Sequence, residues 1–469
     1  MSLISLLNRH KLWIVLLVAL AARGTVLLLF PNIFAFEQTG TIHGSEAYDV
    51  YAQNLNATGV YGRVPGVPDA NIPPLYSYAL AVIYAALGRG YLQVGFFHTA
   101  LDLVSMLLLY AITIRITRPT LEEGAAAWVG ALAVAAYAVY PYLIFQNLTL
   151  IDTPFFMTLT YAFILAMVLL RERESWSGET FVIAVVGGAL LGISLMTRPI
   201  LPPLALLMAL WFLFRRPLGQ TIVRLGVVAV VSIAVVIPWM LRTSAVYGTF
   251  VPLSVTSGSN LWQGNNEDVV AILRAGYDVQ WTSPTLTSAD RDSAEADRER
   301  TALVWAYWND HPEQLPELFW TKFLVHWSID IAPRLNPTAG VLPRLDYQGD
   351  AQATESATGE LTLGGLPPGD PVDTYSTPLF DQIGRLLHRL YFGTLFVLAV
   401  IGMGLSLRGW RDLSLLWCIQ ISMTVVYVLF HPSTRYRVPT DPLLFVLSAF
   451  AVVTLWQGLI HRRAAKGTV

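Results

Sequence analysis

Long apolar runs alternate with short basic connections along this chain, and two stretches, 31–72 and 243–388, break the rhythm by being too polar to lie in a bilayer. The apolar runs fall at 12–30, 73–88, 91–113, 125–141, 153–170, 181–197, 200–214, 222–240, 389–407, 412–430 and 438–459. Measured against the ~20 helical residues that cover a hydrocarbon core, they predict an all-α polytopic membrane protein with about 10–11 transmembrane segments. Seven runs separate the two polar stretches, and an odd number of crossings would put those stretches on opposite sides. One of the short runs, 73–88 or 200–214, is therefore expected not to cross completely. The expected organisation is a membrane module at 1–242 that includes the first polar loop, a large loop region at 243–388, and closing helices at 389–469. Within the large loop, 288–327 reads as two helices and 350–376, rich in Gly, Pro, Thr and Asp, as a mobile loop.

Charge gives this ladder a direction. Of the 32 acidic residues, 19 lie between 243 and 388, where only 8 of the 30 Lys and Arg are found. The basic residues cluster instead at Arg9 and Lys11, Arg171 to Arg173, Arg215 to Arg224, Arg408 to Arg411, and Arg462, Arg463 and Lys466. Positive charge near span ends is retained in the cytoplasm, so the N-terminus is expected there and both polar stretches on the external face. Segment 12–30 reads as a retained anchor. A composition of 54% hydrophobic and 13% charged residues agrees, and with a net charge of −2 and no basic patch, nucleic acid is not expected as a partner. The single cysteine, Cys418, excludes an intrachain disulfide and a thiolate metal cluster.

The sharpest local pattern is His43-Gly-Ser-Glu-Ala-Tyr-Asp-Val-Tyr-Ala-Gln-Asn-Leu55 in the first loop. Ser45 is placed as an N-cap, and Tyr48, Tyr51, Ala52 and Leu55 recur at helical spacing, which predicts an amphipathic helix along the membrane surface. Glu46 and Asp49 share a face of it. A carboxylate at that surface suits a general base taking a proton from an acceptor hydroxyl, with Asp69 a second acid that could converge on it. The same spacing also fits solvated acids at a helix start. Farther on, Arg23, Arg198, Arg242, Arg435 and Arg437 lie within or at the ends of apolar runs, where charge is costly. The last four fall on the expected external face, which favours a bound anion, and guanidinium groups suit phosphate oxygens. Snorkelling to headgroups is the plainer reading of each, and Arg23 could pair with a carboxylate inside the bundle.

These residues, in order, carry a family resemblance. Glu46-Ala-Tyr-Asp-Val-Tyr-Ala, Asn71-Ile-Pro-Pro-Leu75, Thr197-Arg198-Pro199, Pro238-Trp-Met-Leu-Arg242, Asn260-Leu-Trp-Gln-Gly-Asn-Asn266, His311-Pro to Lys322, and Arg435-Tyr-Arg-Val-Pro439 together resemble the GT-C superfamily of membrane glycosyltransferases. The likeness is to the bacterial glycosyltransferase family 39 type, relatives of protein O-mannosyltransferases and of the lipid A aminoarabinose transferase. It implies a GT-C-like bundle in a bacterial plasma membrane and an inverting transfer of a sugar from a polyprenyl-phosphate donor to an external hydroxyl acceptor. It implies an acid of the first loop as base: Gly44 stands where the relatives have aspartate, leaving Glu46, Asp49, Asp69 or a loss of activity. It implies Arg198, Arg242, Arg435 and Arg437 as donor-phosphate ligands, Asn71 and Ile72 standing where aminoarabinose relatives carry Glu-Lys. Tyr48, Asn71, Asp152, Trp262, Gln263, Asn265 and Asn266 are the implied substrate contacts.

No phosphate-cradling glycine loop, GxSxG elbow or HExxH pair is present, and the eight histidines lack ligand spacing, so no tightly bound metal or other cofactor is predicted, while a divalent cation near the acids stays open without support from ligand spacing. A transporter or flippase of lipid-linked sugars, or an inactive scaffold of the same fold, is the other reading; transporters commonly show duplicated halves, and none is visible here. The sugar, lipid, acceptor and oligomeric state are not encoded in any motif.

Overall fold

In the computed structural model, the residues described are 3–36, 41–42, 44–279, 284–288, 290–333, 353–355, 361–363 and 378–466. The apolar runs become helices close to the expected bounds. The first loop follows α1 (Leu3–Leu29) with a short α2 (Pro31–Phe34), a two-residue antiparallel pairing of β1 (Ala35–Phe36) with β2 (Thr41–Ile42), and α3 (Glu46–Thr58). Then come α4 (Leu75–Leu87), α5 (Tyr91–Thr117), α6 (Glu123–Ala138), α7 (Pro141–Leu148), α8 (Thr153–Glu172), α9 (Gly178–Leu195), α10 (Pro202–Leu213) and α11 (Leu218–Tyr247). The large loop carries α12 (Ser257–Gln263), α13 (Val269–Ala275), α14 (Ala294–Asp310) and α15 (Leu315–His326), so its two expected helices are present. Of the stretch 350–376, an antiparallel pair, β3 (Ala353–Glu355) with β4 (Leu361–Leu363), is described; the rest of that expected mobile loop lies outside the described residues. The chain closes with α16 (Pro378–Leu405), α17 (Trp410–Leu429), the single turn α18 (Thr434–Arg437) and α19 (Asp441–Lys466).

Among the described residues, seven helical stretches are long and apolar enough to cross a membrane, one of them (Gln382–Leu429) holding both α16 and α17; the pair α6 and α7, bent by 58°, adds an eighth. The two short runs are resolved by their neighbours. The Leu75 N–H at the start of α4 bonds to Met196 O at the end of α9, and α4 leads into α5, whose Gly95 lies against Leu27 at the end of α1. Both ends of α4 are therefore at one face of the bundle, and it does not cross. By contrast α10 runs from Arg198 at that face to the opposite face, where Trp211 donates to Asp412 O at 3.2 Å. Its 12 residues are short for a span, about 18 Å of helix, with the Thr197–Leu201 turn making up reach. The helices running between the two faces of the bundle from the first polar loop to the second are then α5, α6 with α7, α8, α9, α10 and α11.

The basic connections gather at the other face and are tied there. Arg171 and Arg215 both pair with Asp412, Arg115 with Glu172 at 2.6 Å, and Arg224 donates to Leu170 O at 2.9 Å. Inside the bundle, fully buried Arg23 meets Asp102 at 2.5 Å, and Asp102 also accepts from Tyr137 at 2.8 Å and Asn147 at 2.7 Å. That charge is compensated, as such a position requires. Where α9 crosses α11 the contact is of backbone on backbone: a Cβ on Gly188 would come within 2.6 Å of Val228 O, so small residues set the approach.

Candidate active site

The first-loop helix α3 is placed by a bridge rather than a cap. Ser45 holds the N-cap position but its side chain makes no capping hydrogen bond; its N–H bonds Leu150 O at 2.8 Å, beside a bridge pairing Gly44 with Leu150. Gly44 has φ of +141°, and a Cβ there would sit 2.2 Å from Leu150 O. An aspartate cannot occupy this position without moving the bridged backbone, so the glycine is built into this structure. The bridge sets α3 against the start of α8, and the stripe Tyr48, Tyr51, Ala52 and Leu55 is covered by protein, with Tyr48 edge-on to Tyr76 at 4.9 Å.

Beneath α3 lies a cavity of about 380 Å³. Its polar wall holds Tyr48, Asp152, Arg198, His431 and Arg435, drawn from α3, the α7–α8 corner, the α9–α10 turn and the loop after α17. Arg198 grips Asp152 with two nitrogens, Nε at 2.6 Å, and Thr153 Oγ1 at 2.8 Å. Burial disfavours the Asp152 charge, yet Arg198 outweighs it and holds the carboxyl below its usual range. The Tyr48 phenol, pushed far up by burial and by Asp152, stays protonated and donates to that carboxylate. Arg435 makes no ion pair among the described residues and its buried Nε has no hydrogen-bond partner; its guanidinium lies 5.7 Å from the Tyr436 ring centre. His431 is 6% exposed, with both ring nitrogens unpartnered. Burial, Lys322 and Arg435 push it down to about 3, so it is neutral at pH 7.

The cavity thus joins Tyr48, Asp152, Arg198 and Arg435 of the residues singled out in the sequence, and the others lie outside its lining. Asp49 is buried and bound by Arg89 at 2.6 Å, Tyr84 at 2.7 Å and Gln53 at 3.0 Å. Asp69 accepts from the Tyr51 hydroxyl and from the N–H groups of Arg63 at 2.7 Å and Asn71 at 3.2 Å. Both therefore hold the first loop in shape, their lone pairs already taken. Glu46 is exposed, and two residues along a helix from Tyr48 it faces elsewhere. Arg242 donates to the carbonyls of Asp69 and Tyr61, each at 2.7 Å, and lies over Trp239, tying the first loop to α11. Arg437 is fully buried, pairing with Asp441 at 3.1 Å and donating to the His326 and Ser328 carbonyls. Asn71 accepts from Tyr247 at 3.3 Å. Asn265 binds Lys322 at 3.0 Å and Leu429 O at 2.8 Å, Asn266 closes onto Trp262 O at 2.9 Å, and Trp262 and Gln263 are half-buried on α12.

Sequence reasoning passed over His431 and Tyr427 and gave no role to Asn260 and Tyr436, which it named only within motifs; all four are on the cavity wall. The available signal was a histidine four residues before Arg435, at the end of an apolar run. Among the described residues no group of three or more His, Cys, Asp or Glu could hold a metal ion.

No protein-family profile and no curated protein matches the chain. Solved structures do. The archaeal oligosaccharyltransferase AglB from Archaeoglobus fulgidus, in complex with an inhibitory peptide and a dolichol-phosphate, superposes with a TM-score of 0.54 at 14% identity over 99% of this chain and 52% of that one. The Archaeoglobus fulgidus oligosaccharyltransferase in its apo form gives 0.52 at 14% identity over 98% and 52%, and its form tethered to an acceptor peptide 0.54 at 14% over 98% and 51%. This chain spans about half the length of those enzymes, and the likeness is one of fold.

Proposed function

We propose that this chain is an inverting membrane glycosyltransferase that moves a sugar from a polyprenyl-phosphate donor to a hydroxyl acceptor on the external face of a bacterial plasma membrane. The observation that carries this is the division of chemistry around the cavity. Ile200, Pro202, Pro203, Leu429 and Phe430 line it from the ends of α10 and α17, whose outer sides expose Leu206, Leu210 and Ile421. These suit a polyprenyl chain arriving from the bilayer. Arg198 and Arg435 suit its phosphate, and Ser254, Thr256, Ser257 and Asn260, from the segment after α11, suit sugar hydroxyls. The dolichol-phosphate held by the Archaeoglobus enzyme is a ligand of this kind.

In the transfer, the acceptor O–H gives its proton to a carboxylate while its oxygen bonds the anomeric carbon. The bond from that carbon to the phosphate oxygen breaks, and polyprenyl phosphate leaves with the electron pair. Arg435 and Arg198 stabilise the charge that grows on the phosphate. The carboxylate on the cavity wall is Asp152, so the role of base, first sought among Glu46, Asp49 and Asp69, passes in this reading to Asp152, with Glu46 second. A phosphate arriving at Arg198 competes for its donors and makes Asp152 more basic.

The test uses the purified chain in nanodiscs with a labelled polyprenyl-phosphate sugar and membrane-extracted acceptors. A glycosidic product of inverted configuration is expected, with Arg435→Gln and Asp152→Asn each lowering the rate by roughly 100-fold or more. Parent-rate transfer by both variants would remove the assignment of the site, and movement of donor between leaflets without product would favour a transporter.

A further inference from the structure

A second cavity, of about 440 Å³, opens at the opposite, basic face, far from the first along the chain's passages. It is built by three separate connections: Thr120 after α5, Arg215 after α10, and the stretch Arg408, Trp410, Arg411 and Asp412 where α16 turns into α17. Asp412 is already engaged, bound by Arg215 and by Arg171 at 2.9 Å. Arg408 and Arg411 are exposed and make no side-chain hydrogen bond or ion pair among the described residues; Arg411 only lies over the Trp410 ring at 5.8 Å. The wall thus carries a net positive charge that its single carboxylate does not cancel. Retention of positive charge on one side explains arginines in each connection, but not their convergence on one concavity. Beside it stands an apolar collar: Trp410 packs edge-on to Phe214 at 4.9 Å, and Leu213 and Leu407 are exposed.

We infer that this cavity binds the phosphate headgroup of an anionic membrane lipid. Arg408 and Arg411 donate to the phosphate oxygens with Thr120 and Arg215 beside them, and the acyl chains lie along Trp410, Leu213 and Leu407. Guanidinium forks match a phosphate, and basic pockets between helices on this kind of face select anionic headgroups. The collar is what separates a lipid from a free phosphate, since a soluble anion has no use for it.

The full chain in neutral detergent is titrated with short-chain phosphatidylglycerol, with phosphatidylcholine of the same chain length, and with inorganic phosphate, following the unfolding midpoint. Phosphatidylglycerol is expected to raise the midpoint by several degrees, consistent with about 2–3 kcal/mol of linkage at ~100-fold saturation, and neither phosphatidylcholine nor phosphate to reproduce it. The double variant Arg408→Gln with Arg411→Gln is expected to lose the shift while its lipid-free midpoint stays near the parent's. Equal shifts from the two lipids, or a shift retained in the double variant, would overturn the inference. A full shift from inorganic phosphate alone would overturn the lipid as its source.

Discussion

The first loop and the loop between α17 and α19 meet across the same cavity and treat their polar groups in opposite ways. In the first loop the carboxylates of Asp49 and Asp69 are surrounded by donors, and even the backbone carbonyls of Tyr61 and Asp69 are taken by Arg242. In the second loop, Arg437 is tied to Asp441 and two carbonyls with only its Nη2 left open, while Arg435, two residues earlier, has no carboxylate partner among the described residues and an open buried Nε, and both ring nitrogens of His431 are open. A buried polar group left unmatched costs about 1–3 kcal/mol, so a fold keeps one where something else completes it. On this cavity wall the open nitrogens of Arg435 and His431 mark where a ligand belongs, whereas Arg437, tied to a carboxylate and two carbonyls, holds the loop.

The contrast breaks most violently at Arg437. Replacing it with alanine leaves Asp441 fully buried with only the Tyr140 hydroxyl, at 3.1 Å, to answer it. Stripping one partner from a buried pair costs about 3–5 kcal/mol, enough to lose a monodisperse protein after extraction. A parent-like unfolding midpoint for Arg437→Ala would show that the tie to Asp441 does not hold this loop. Arg435→Gln sharpens the same point from the other side: its midpoint should stay within about 1 kcal/mol of the parent, because no carboxylate is orphaned, while the KM for donor rises roughly tenfold or more. Unchanged donor KM would mean that the open nitrogens of this loop are not waiting for a phosphate.

Next in size is the pair around α3. Asp49→Asn weakens the contact with Arg89, which is one-third exposed, so a loss of about 1–2 kcal/mol is expected. Glu46→Gln, at an exposed position, should change stability by no more than about 0.5 kcal/mol. The comparison is decided by activity measured beside stability. If Glu46→Gln stops transfer with the fold intact while Asp152→Asn does not, the base returns to the first loop and Asp152 becomes a positioning residue for Arg198.

Much of the fold was legible because period and charge are carried by many residues at once. Helix bounds fell within a few residues for α5, α8 and α9, whereas which of the two short runs starts and ends at one face of the bundle could be read only from contacts such as that of Leu75 with Met196. The site was legible in part. Arg198, Arg435, Asp152 and Tyr48 could be picked out because charge in or beside an apolar run is costly, or because the resemblance marked them. What the pattern could not supply is pairing. Arg435 and Arg437 are alike in sequence, and only packing decides that one meets Asp441 and the other meets open space. Asp49 looks as free as Glu46 until Arg89, 40 residues on, folds over it. Gly44 reads as a lost catalytic group, whereas the closeness of Leu150 makes it a requirement of the bridge.

The finest test of the open loop is a dependence of stability on pH. His431 is held down to about 3 by burial, Lys322 and Arg435, against about 6.5 in an unfolded chain. Between those values the unfolded state binds a proton that the folded state refuses, so stability falls as pH drops below about 6.5 and is fully present above it. Down to pH 5.5 the contribution is about 1 kcal/mol. His326, buried and held down to about 3 by burial and Arg437, adds a slope of the same sign, so the informative quantity is a difference. The midpoint of His431→Asn should fall less steeply than the parent's from pH 7 to 5.5. A donor analogue bound at Arg435 should flatten the parent toward the variant, because a phosphate beside the imidazole offsets the cations that now keep it neutral. Identical slopes in parent and variant would mean that His431 already has a partner, and the distinction between the two loops would then rest on Arg435 alone.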